Sequence, residues 1–417
     1  MSKICRNKSG FALALIFSLF FIWAISNNLL PTMIRQLMKT CELNTFTASF
    51  TESAYWLAYF IFPIPIAIFL NKFSYKAGVI FGLCLAAFGC LLFLPSAAAQ
   101  SYPLYLCVFF VLATGMCFLE TAANPYVTVL GNPETATRRL NLAQAFNGLG
   151  AFVSAMFLSK LVLSGEDYSR ETIPADYPGG WEGFVTNETA SIKTAYMILA
   201  ALLVVAAVAI IIAKLPSVAD ESSGKQKKFI DFSVLKRSHL RNGVIAQFFY
   251  NGGQTAINSL FLVYCCTYAG IDEGRATTFF GIYMLCFLLG RWVGTLLMGK
   301  FKPQNMLLVY AVANIFLCVV VMCFGGMVGI YAMMAISFFM SIMYPTQFSL
   351  AIDQLGDQTK SGSAFLVMAI VGNACLPQIT AFIMHRNPAV YHIAYFVPMI
   401  CFAVCAYYGW KGHRVID

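Results

Sequence analysis

The chain has 417 residues, of which 59% are hydrophobic and 11% are charged. This composition excludes an ordinary soluble domain, in which about half of the residues are apolar and about a quarter are charged. The formal net charge of +9 could indicate a nucleic-acid ligand, but the basic residues stand between long apolar stretches. We therefore expect the lipid bilayer, and no nucleic acid, to be a partner of this chain.

The apolar residues form blocks of about 20, the length that an α-helix needs to cross a bilayer. These blocks predict an all-α membrane protein with twelve transmembrane helices, which we call spans 1 to 12. They cover residues 11–33, 48–70, 77–97, 102–126, 140–164, 194–214, 243–268, 277–299, 304–325, 327–350, 362–384 and 390–410. The first block could pass for a signal peptide, but it lacks a small-residue cleavage site, so we expect it to remain as span 1.

The lysines and arginines are distributed unevenly between the two sides of the predicted membrane. Twenty of the 27 belong to the side that holds both termini, and seven belong to the opposite side. Arg291, near the end of span 8, is counted with the first group. An excess of positive charge marks the cytoplasmic side of a membrane. Both termini are therefore predicted to be cytoplasmic.

The longest polar segment on the cytoplasmic side separates six spans from six. The sequence therefore predicts an N-terminal lobe over residues 1–215, a linker over 216–241 and a C-terminal lobe over 242–417. The two halves also repeat features in the same order, since Pro125 late in span 4 recurs as Pro345 late in span 10. Parallel repeats of six helices are typical of secondary transporters, in which the substrate site lies between the lobes.

One carboxylate, Glu120, lies inside an apolar stretch. An acid in hydrocarbon is costly and marks a functional position by default. Glu120 comes about ten residues before the cytoplasmic end of span 4, so it lies roughly 15 Å deep, close to the bilayer midplane. Burial disfavours the charged form of the acid, which makes Glu120 a candidate carrier of a proton. The alternative is a buried acid that only joins two helices.

Uncharged amides and tyrosines recur at similar depths in several spans. The set consists of Asn27 in span 1, Asn124 in span 4, Gln144 and Asn147 in span 5, Gln247, Tyr250, Gln254 and Asn258 in span 7, Tyr344 in span 10 and Asn373 in span 11. Amides donate to and accept from hydroxyl groups, and aromatic rings cover the C–H face of a sugar. The set predicts a cavity for a polyhydroxylated ligand, although amides can also simply join helices. A nucleotide or peptide would call for buried arginine or lysine, which this set lacks.

Other kinds of site find no support in the sequence. Most of the 14 cysteines lie within spans, and the four histidines lie at span ends or in loops. No cluster has the spacing of a metal site, and no nucleophile is accompanied by a base. We therefore expect no disulfide framework, no metal, no cofactor and no enzymatic activity.

Six long segments resemble a known family, and the likeness covers nearly the whole chain. They are LFFIWAISNNL (19–29), YFIFPIPIAIFLNKFSYKAG (59–78), LETAANPYVTVLG (119–131), RLNLAQAFNGLGA (139–151), GRWVGT (290–295) and SIMYPTQFSLAI (341–352). The chain resembles the major facilitator superfamily, and within it the fucose–galactose–glucose:proton symporter family. This resemblance implies the major facilitator fold, with two pseudo-symmetric six-helix lobes, in a bacterial inner membrane.

The resemblance also implies a function and roles for single residues. The expected activity is import of a neutral monosaccharide, L-fucose or a related hexose, by proton symport with alternating access, in a protein that works as a monomer. The family's protonatable glutamate falls on Glu120. Its sugar-binding amides fall on Gln144 and Asn147, and its span 10 tyrosine falls on Tyr344.

The chain departs from the family at the end of span 1. The family's type member has an aspartate there, in an NNLND segment, whereas this chain reads NNLLP, with Pro31 in the place of the acid. Glu52, in the FTESAYW segment of span 2, is a candidate replacement in proton coupling. The alternative is that Glu52 is a solvated acid at a helix N-terminus, where the helix dipole favours it.

Two rival functions share this fold or this ligand. A drug:proton antiporter would have the same architecture, with a more apolar cavity and protons moving opposite to the substrate. A membrane sugar sensor would bind without transport, and such a protein usually carries a long cytoplasmic signalling tail. Transport assays separate the three.

Overall fold

The structure is a computed structural model that describes residues 3–30, 33, 36–37, 40–43, 45–129, 132–154, 156, 168, 170–213, 231–386 and 388–415. Three features of the sequence analysis lie outside these residues. They are Pro31, most of the 216–241 linker and the last part of span 5.

The described residues form sixteen α-helices joined by turns and short 3₁₀ or π segments. The first half contains α1 (Lys3–Asn28), α2 (Thr45–Ile61), α3 (Pro63–Lys72), α4 (Tyr75–Leu91), α5 (Phe93–Ala99), α6 (Tyr102–Val129), α7 (Ala136–Val153) and α8 (Gly180–Ile212). The second half contains α9 (Ser238–Val263), α10 (Glu273–Leu297), α11 (Pro303–Phe324), α12 (Gly326–Met340), α13 (Met343–Ala351), α14 (Thr359–Met368), α15 (Gly372–Arg386) and α16 (Phe396–Tyr407). Helices are the expected form because hydrocarbon offers no partner for an open backbone.

Several of the predicted spans are made of two helices each. Span 2 consists of α2 and α3, which bend by 42° at a break before Pro63. Proline has no N–H to donate and clashes with the preceding turn, so it starts the second helix. Spans 3, 10 and 11 likewise consist of α4 with α5, α12 with α13, and α14 with α15.

The helices differ in how apolar they are. Among the described residues, eight helices are long and apolar enough to cross a membrane, or nine if the bent α2–α3 pair counts as one span. Helices α7 and α9 fail this test, and they carry the amides that the sequence analysis singled out. The amides of α7 and α9 therefore also lower the apolar character of these two helices.

Each lobe packs its helices closely around its own core. Within the first lobe α4 packs along α6, and α1 packs along α7. A Cβ atom on Gly115 would lie 2.5 Å from the Ala86 nitrogen, and one on Gly150 would lie 2.3 Å from the Phe21 carbonyl oxygen. Small residues are required at both points because the helix backbones nearly touch.

The outer surface of the helices is apolar. Large side chains such as Ile212, Phe316 and Phe324 are mostly exposed on α8 and α11. A soluble protein rarely leaves so many large apolar groups in contact with water. This surface is suited to lipid.

The two lobes meet mainly through α7 with α10 and α13, and through α14 with α3 and α6. The start of α9 and the chain's last turn lie on one face, since the Asn242 amide donates to the Gly412 carbonyl over 3.3 Å. We call this the terminal face. Two hydroxyls near this face, Thr137 and Ser349, bond between the lobes at 2.8 Å. The lobes are therefore joined at the terminal face.

Two further bonds close the same side of the lobe interface. The Asn141 amide donates to the Thr346 hydroxyl over 3.3 Å, and the Lys360 ammonium donates to the Leu70 carbonyl over 3.1 Å. Lys360 is only 8% exposed. The Lys360 contact joins the ends of spans 2 and 11 that lie nearest the terminal face.

Candidate functional site

The candidate site is built around α6. Every residue of this helix from Leu112 to Thr128 is buried, so its second half contacts protein on all sides. Glu120 lies in this stretch with an exposure of 4%, and Asn124 follows one turn later on the same face. Pro125 is accommodated inside the helix.

Four of the predicted residues form one hydrogen-bonded group across the lobe interface. The Tyr344 hydroxyl of α13 donates to the Glu120 carboxylate. The Asn124 amide donates to the Tyr344 hydroxyl over 3.5 Å, and the Gln144 amide of α7 donates to the Asn124 oxygen over 3.3 Å. Acid, tyrosine and amides from three spans therefore lie together.

The structure adds a residue that the sequence analysis did not place in the site. Arg291 belongs to the interior of α10 and is only 5% exposed. Its Nη1 group donates to the side-chain oxygens of Gln144 at 3.2 Å and Asn147 at 3.1 Å, and also to the Gln144 backbone carbonyl. Its Nε donates to the Ser341 carbonyl at 3.0 Å. Counting Arg291 with the loop charges was therefore wrong.

The site therefore contains a buried basic group, contrary to the expectation from the polar set. The Arg291 guanidinium lies over the Phe287 ring at 4.5 Å, and no described carboxylate forms an ion pair with it. The missing side chain of Gly148 leaves the space that Arg291 fills, because a Cβ there would approach its Cδ to 3.3 Å. One signal in the sequence could have found this residue, namely a charge inside the apolar block 277–299.

The first two spans contribute a separate group of contacts. The Tyr55 hydroxyl of α2 donates to the side-chain oxygen of Asn27 on α1. Asn147 also reaches α1, where its amide donates to the Phe20 carbonyl over 3.3 Å. Asn27 and Asn147 are thus both held by neighbouring helices rather than pointing into open space.

Glu52 does not lie at a helix N-terminus. Helix α2 begins at Thr45, so Glu52 is about two turns inside it, beyond the reach of the dipole at the helix end. Its carboxylate accepts from the Trp56 indole N–H over 3.5 Å, and the residue is half-buried. The alternative of a solvated N-terminal acid is therefore wrong.

The predicted polar stripe of α9 divides into two parts. Near the terminal face, Gln247 donates to the Tyr344 carbonyl at 3.1 Å and Tyr250 donates to the Met340 carbonyl at 2.8 Å. Further along, Gln254 and Asn258 are partly buried, and no contact joins them to the Glu120 group. Asn373 of α15 accepts from the Thr255 hydroxyl at 2.7 Å. The stripe therefore holds helices of the second lobe together over much of its length.

Within the described residues, no three histidine, cysteine, aspartate or glutamate side chains gather as a metal site would need. The charged atoms of the candidate site are instead one carboxylate, Glu120, and one guanidinium, Arg291. They belong to opposite lobes, and Tyr344, Asn124 and Gln144 connect them. Such a group can hold or release a proton without a metal ion.

Comparison with known proteins assigns the family. A model of the Major Facilitator Superfamily matches residues 12–378. The chain belongs to the Major Facilitator Superfamily. It is 40% identical over 397 residues to the L-fucose-proton symporter of Escherichia coli (strain K12), a match that covers 94% of this chain and 90% of that relative. It is 35% identical over 412 residues to the glucose/galactose transporter of Brucella abortus biovar 1 (strain 9-941), covering 98% of this chain and 96% of that one.

The fold of this superfamily member is similar to a solved structure as well. The crystal structure of the transporter FucP in the outward conformation superposes with a TM-score of 0.88 at 37% identity, covering 97% of this chain and 99% of that one. The predicted family and the predicted fold of twelve transmembrane helices in two lobes are thereby confirmed. The lobe boundaries at residues 215 and 242 stay predictions, and so do the roles of the site residues.

Proposed function

We propose that the protein is a secondary transporter that imports a neutral monosaccharide, L-fucose or a related hexose, together with a proton. The observation that carries this proposal is the bond between Glu120 and Tyr344, a buried acid tied to the opposite lobe beside a pair of amides. Relatives named as an L-fucose-proton symporter and a glucose/galactose transporter support the substrate class.

The proton and the sugar would be linked through Tyr344. An ionised carboxylate only accepts hydrogen bonds, so it holds the Tyr344 hydroxyl as a donor. A protonated Glu120 becomes a donor itself and no longer needs the tyrosine proton. The Tyr344 hydroxyl can then turn to a sugar hydroxyl, which makes sugar binding stronger in the protonated carrier.

Sugar binding and the closure of the terminal face would be linked through Arg291. Gln144 and Asn147 present their oxygens to Arg291 of the opposite lobe while the terminal face is closed. Rocking of the lobes separates these partners, as alternating access requires. Sugar hydroxyls that compete for the two amides therefore loosen the contact that holds the terminal face shut.

The position of the protein in the cell is part of the same proposal. The excess of lysine and arginine assigns the terminal face, with both termini, to the cytoplasm. The membrane is the inner membrane of a bacterium, because the named relatives are bacterial. A single chain contains both lobes and the described contacts of the site, which supports a monomer as the working unit. The coupling ion is the proton that Glu120 carries, and no cofactor takes part.

The test is uptake of labelled L-fucose, D-galactose and D-glucose by vesicles, with and without an inward proton gradient. We expect wild type to accumulate at least one of these sugars only with the gradient. Glu120→Gln should lose this accumulation and keep sugar exchange, because the amide resembles a permanently protonated acid. Glu134→Gln, which changes an exposed acid in the turn after α6, is the matched control and should behave as wild type.

Three outcomes would contradict the proposal in different ways. Normal accumulation by Glu120→Gln would remove this residue as the carrier. Protons leaving while substrate enters would identify an antiporter. Binding of a sugar without any uptake would identify a sensor.

A further inference from the structure

Glu120 has almost no contact with solvent in this structure, so a proton needs a path to reach it. Tyr344 covers the carboxylate from the second lobe. Groups that pass a proton must donate and accept at the same atom, which a hydroxyl does and an amide N–H does not. A proton path within the first lobe therefore runs through hydroxyl groups near Glu120.

Two tyrosines of α2 meet this requirement. Tyr55 and Tyr59 are one helical turn apart, and their rings stack with centroids 5.9 Å apart. Their exposures are 1% and 0%. Both tyrosines lie on α2, which packs along α6, the helix that carries Glu120. The Tyr59 hydroxyl interacts with both the Tyr55 hydroxyl and the Glu120 carboxylate.

The Tyr59 hydroxyl completes no hydrogen bond of normal geometry with any described atom. Four other buried tyrosine hydroxyls share this property, and Tyr59 differs from them because it interacts with Glu120. Buried hydroxyl groups nearly always have a partner, and an exception calls for an explanation. A hydroxyl between two groups that exchange a proton has such an explanation, since it bonds to each of them at a different stage.

The other end of this row reaches a more open part of the molecule. Tyr55 donates to the Asn27 oxygen, and Asn27 is partly exposed. Helix α1 contains no aspartate or glutamate, so no acid of this helix can deliver a proton there. Asn27, Tyr55, Tyr59 and Glu120 thus form a row from a partly exposed end to a buried acid.

We propose that Tyr55 and Tyr59 carry the proton between the Asn27 end and Glu120, an inference that rests on the proposed symport. A hydronium ion at the Asn27 end gives a proton to the Tyr55 oxygen. Tyr55 passes its own proton to Tyr59, and Tyr59 passes its own to the Glu120 carboxylate. One O–H bond forms and one breaks at each tyrosine, so water and a neutral Glu120 result. The transfer begins with both O–H bonds turned towards Glu120 and leaves Tyr55 donating to Asn27, as in this structure. Rotation of both hydroxyls then restores the starting orientation.

The surroundings of Tyr59 offer few competing groups. The titratable groups that act on it are Tyr55 of its own helix and Glu120 and Cys117 of α6. The Cys117 sulfur is engaged with the Thr121 hydroxyl at 3.9 Å. Three segments of the other lobe pack on α2, namely α14, residues 369–371 and α15. Residues 369–371 are Ala-Ile-Val and carry no titratable side chain, and Lys360 of α14 donates to the Leu70 carbonyl.

The experiment compares Tyr59→Phe with wild type in the vesicle assay with labelled L-fucose, D-galactose and D-glucose. The substitution keeps the ring and removes the hydroxyl. We expect the initial rate of gradient-driven uptake to fall by about 10²-fold, the low end of the effect of a positioned proton-transfer group. Sugar exchange at equal pH on both sides should be unchanged, because exchange needs no net proton movement. The solvent deuterium isotope effect on driven uptake should increase, since transfer becomes the slow step.

The matched control is Tyr283→Phe in α10. This tyrosine is also fully buried with an unpartnered hydroxyl, but it packs against Phe261 and Phe280 of its own lobe. It should leave driven uptake unchanged. If Tyr59→Phe does not reach the membrane, Tyr55→Phe replaces it with the same expectation.

The outcomes separate this inference from the proposed function. If wild type itself shows no gradient-driven uptake, the symport proposal fails. If wild type is driven by the gradient and both tyrosine variants match it, only the proton path fails. Equal losses of exchange and driven uptake would make the tyrosines structural and would also overturn the path.

Discussion

The two lobes use the same kinds of polar side chain in different ways. On the N-terminal lobe, Glu120 and Gln144 bond across the interface, to a tyrosine and to Arg291 of the other lobe. On the C-terminal lobe, Gln247 and Tyr250 bond to backbone carbonyls of their own lobe. The sequence does not reveal this difference, because both lobes have helices rich in amide side chains.

This difference shows which polar groups can take part in transport. Lobes that rock against each other must break the bonds between them and can keep the bonds within them. In the proposed transport cycle, side chains that bond across the interface are therefore released in every turn and become free for a proton or a sugar. Side chains that bond within a lobe hold its helices together throughout.

Of the variants that test this difference, Arg291→Gln should have the largest effect on the closure of the lobe interface, because it removes the charged contacts between the lobes. Hydrogen bonds from a charged group contribute about 1.5–3 kcal/mol each, so the terminal face should open far more often. The probe is a single cysteine introduced by Ser349→Cys in a chain without native cysteines, which we call the parent. When Arg291→Gln is added to the parent, this cysteine should react with an impermeant maleimide from the terminal side at least about tenfold faster.

Arg241→Gln provides the matched control, since Arg241 is exposed near the terminal face at the start of α9. Its labelling rate should equal that of the parent. An unchanged rate in Arg291→Gln would mean that Arg291 does not hold the lobes together.

Asn147→Ala and Gln247→Ala test the two lobes against each other. Asn147→Ala should raise the sugar KM in exchange and lower thermal stability less than Gln247→Ala does. Its contact with Arg291 lies across a movable interface, and only its bond to the Phe20 carbonyl lies within its own lobe. Gln247→Ala should lower the free energy of unfolding by about 1–3 kcal/mol, since a buried carbonyl loses its donor. Thermal unfolding of the purified proteins and exchange kinetics are the measurements. A raised KM with normal stability in Gln247→Ala would assign the α9 stripe to the sugar.

Glu52→Gln should have the smallest effect. Glu52 is half-buried and bonded to Trp56, so it can assist proton entry without being the carrier. Gradient-driven accumulation should fall by less than about tenfold, which corresponds to less than 1.4 kcal/mol. Glu182→Gln, at an exposed acid at the start of α8, is the control. Coupling equal to wild type would remove Glu52 as a substitute for the family's span 1 acid.

Much of the fold and part of the site could be predicted from the sequence. A charge in hydrocarbon is rare enough to single out Glu120 at one position, and the resemblance placed Gln144, Asn147 and Tyr344 beside it. Arg291 was missed because a basic residue a few positions from a span end looks like a loop charge when boundaries are uncertain. Tyr59 was missed because an aromatic residue in an apolar segment usually packs in the core.

The sequence by itself determined the number of spans, and it predicts the side of the termini and a central acid. These follow from local properties, namely the length of apolar blocks and the placement of charges. Only the tertiary structure decided which polar groups meet. Tyr344 and Glu120 are 224 positions apart, and Arg291 and Gln144 are 147 apart. Contacts at such separations depend on how two lobes pack, which the spacing of residues along one helix does not encode.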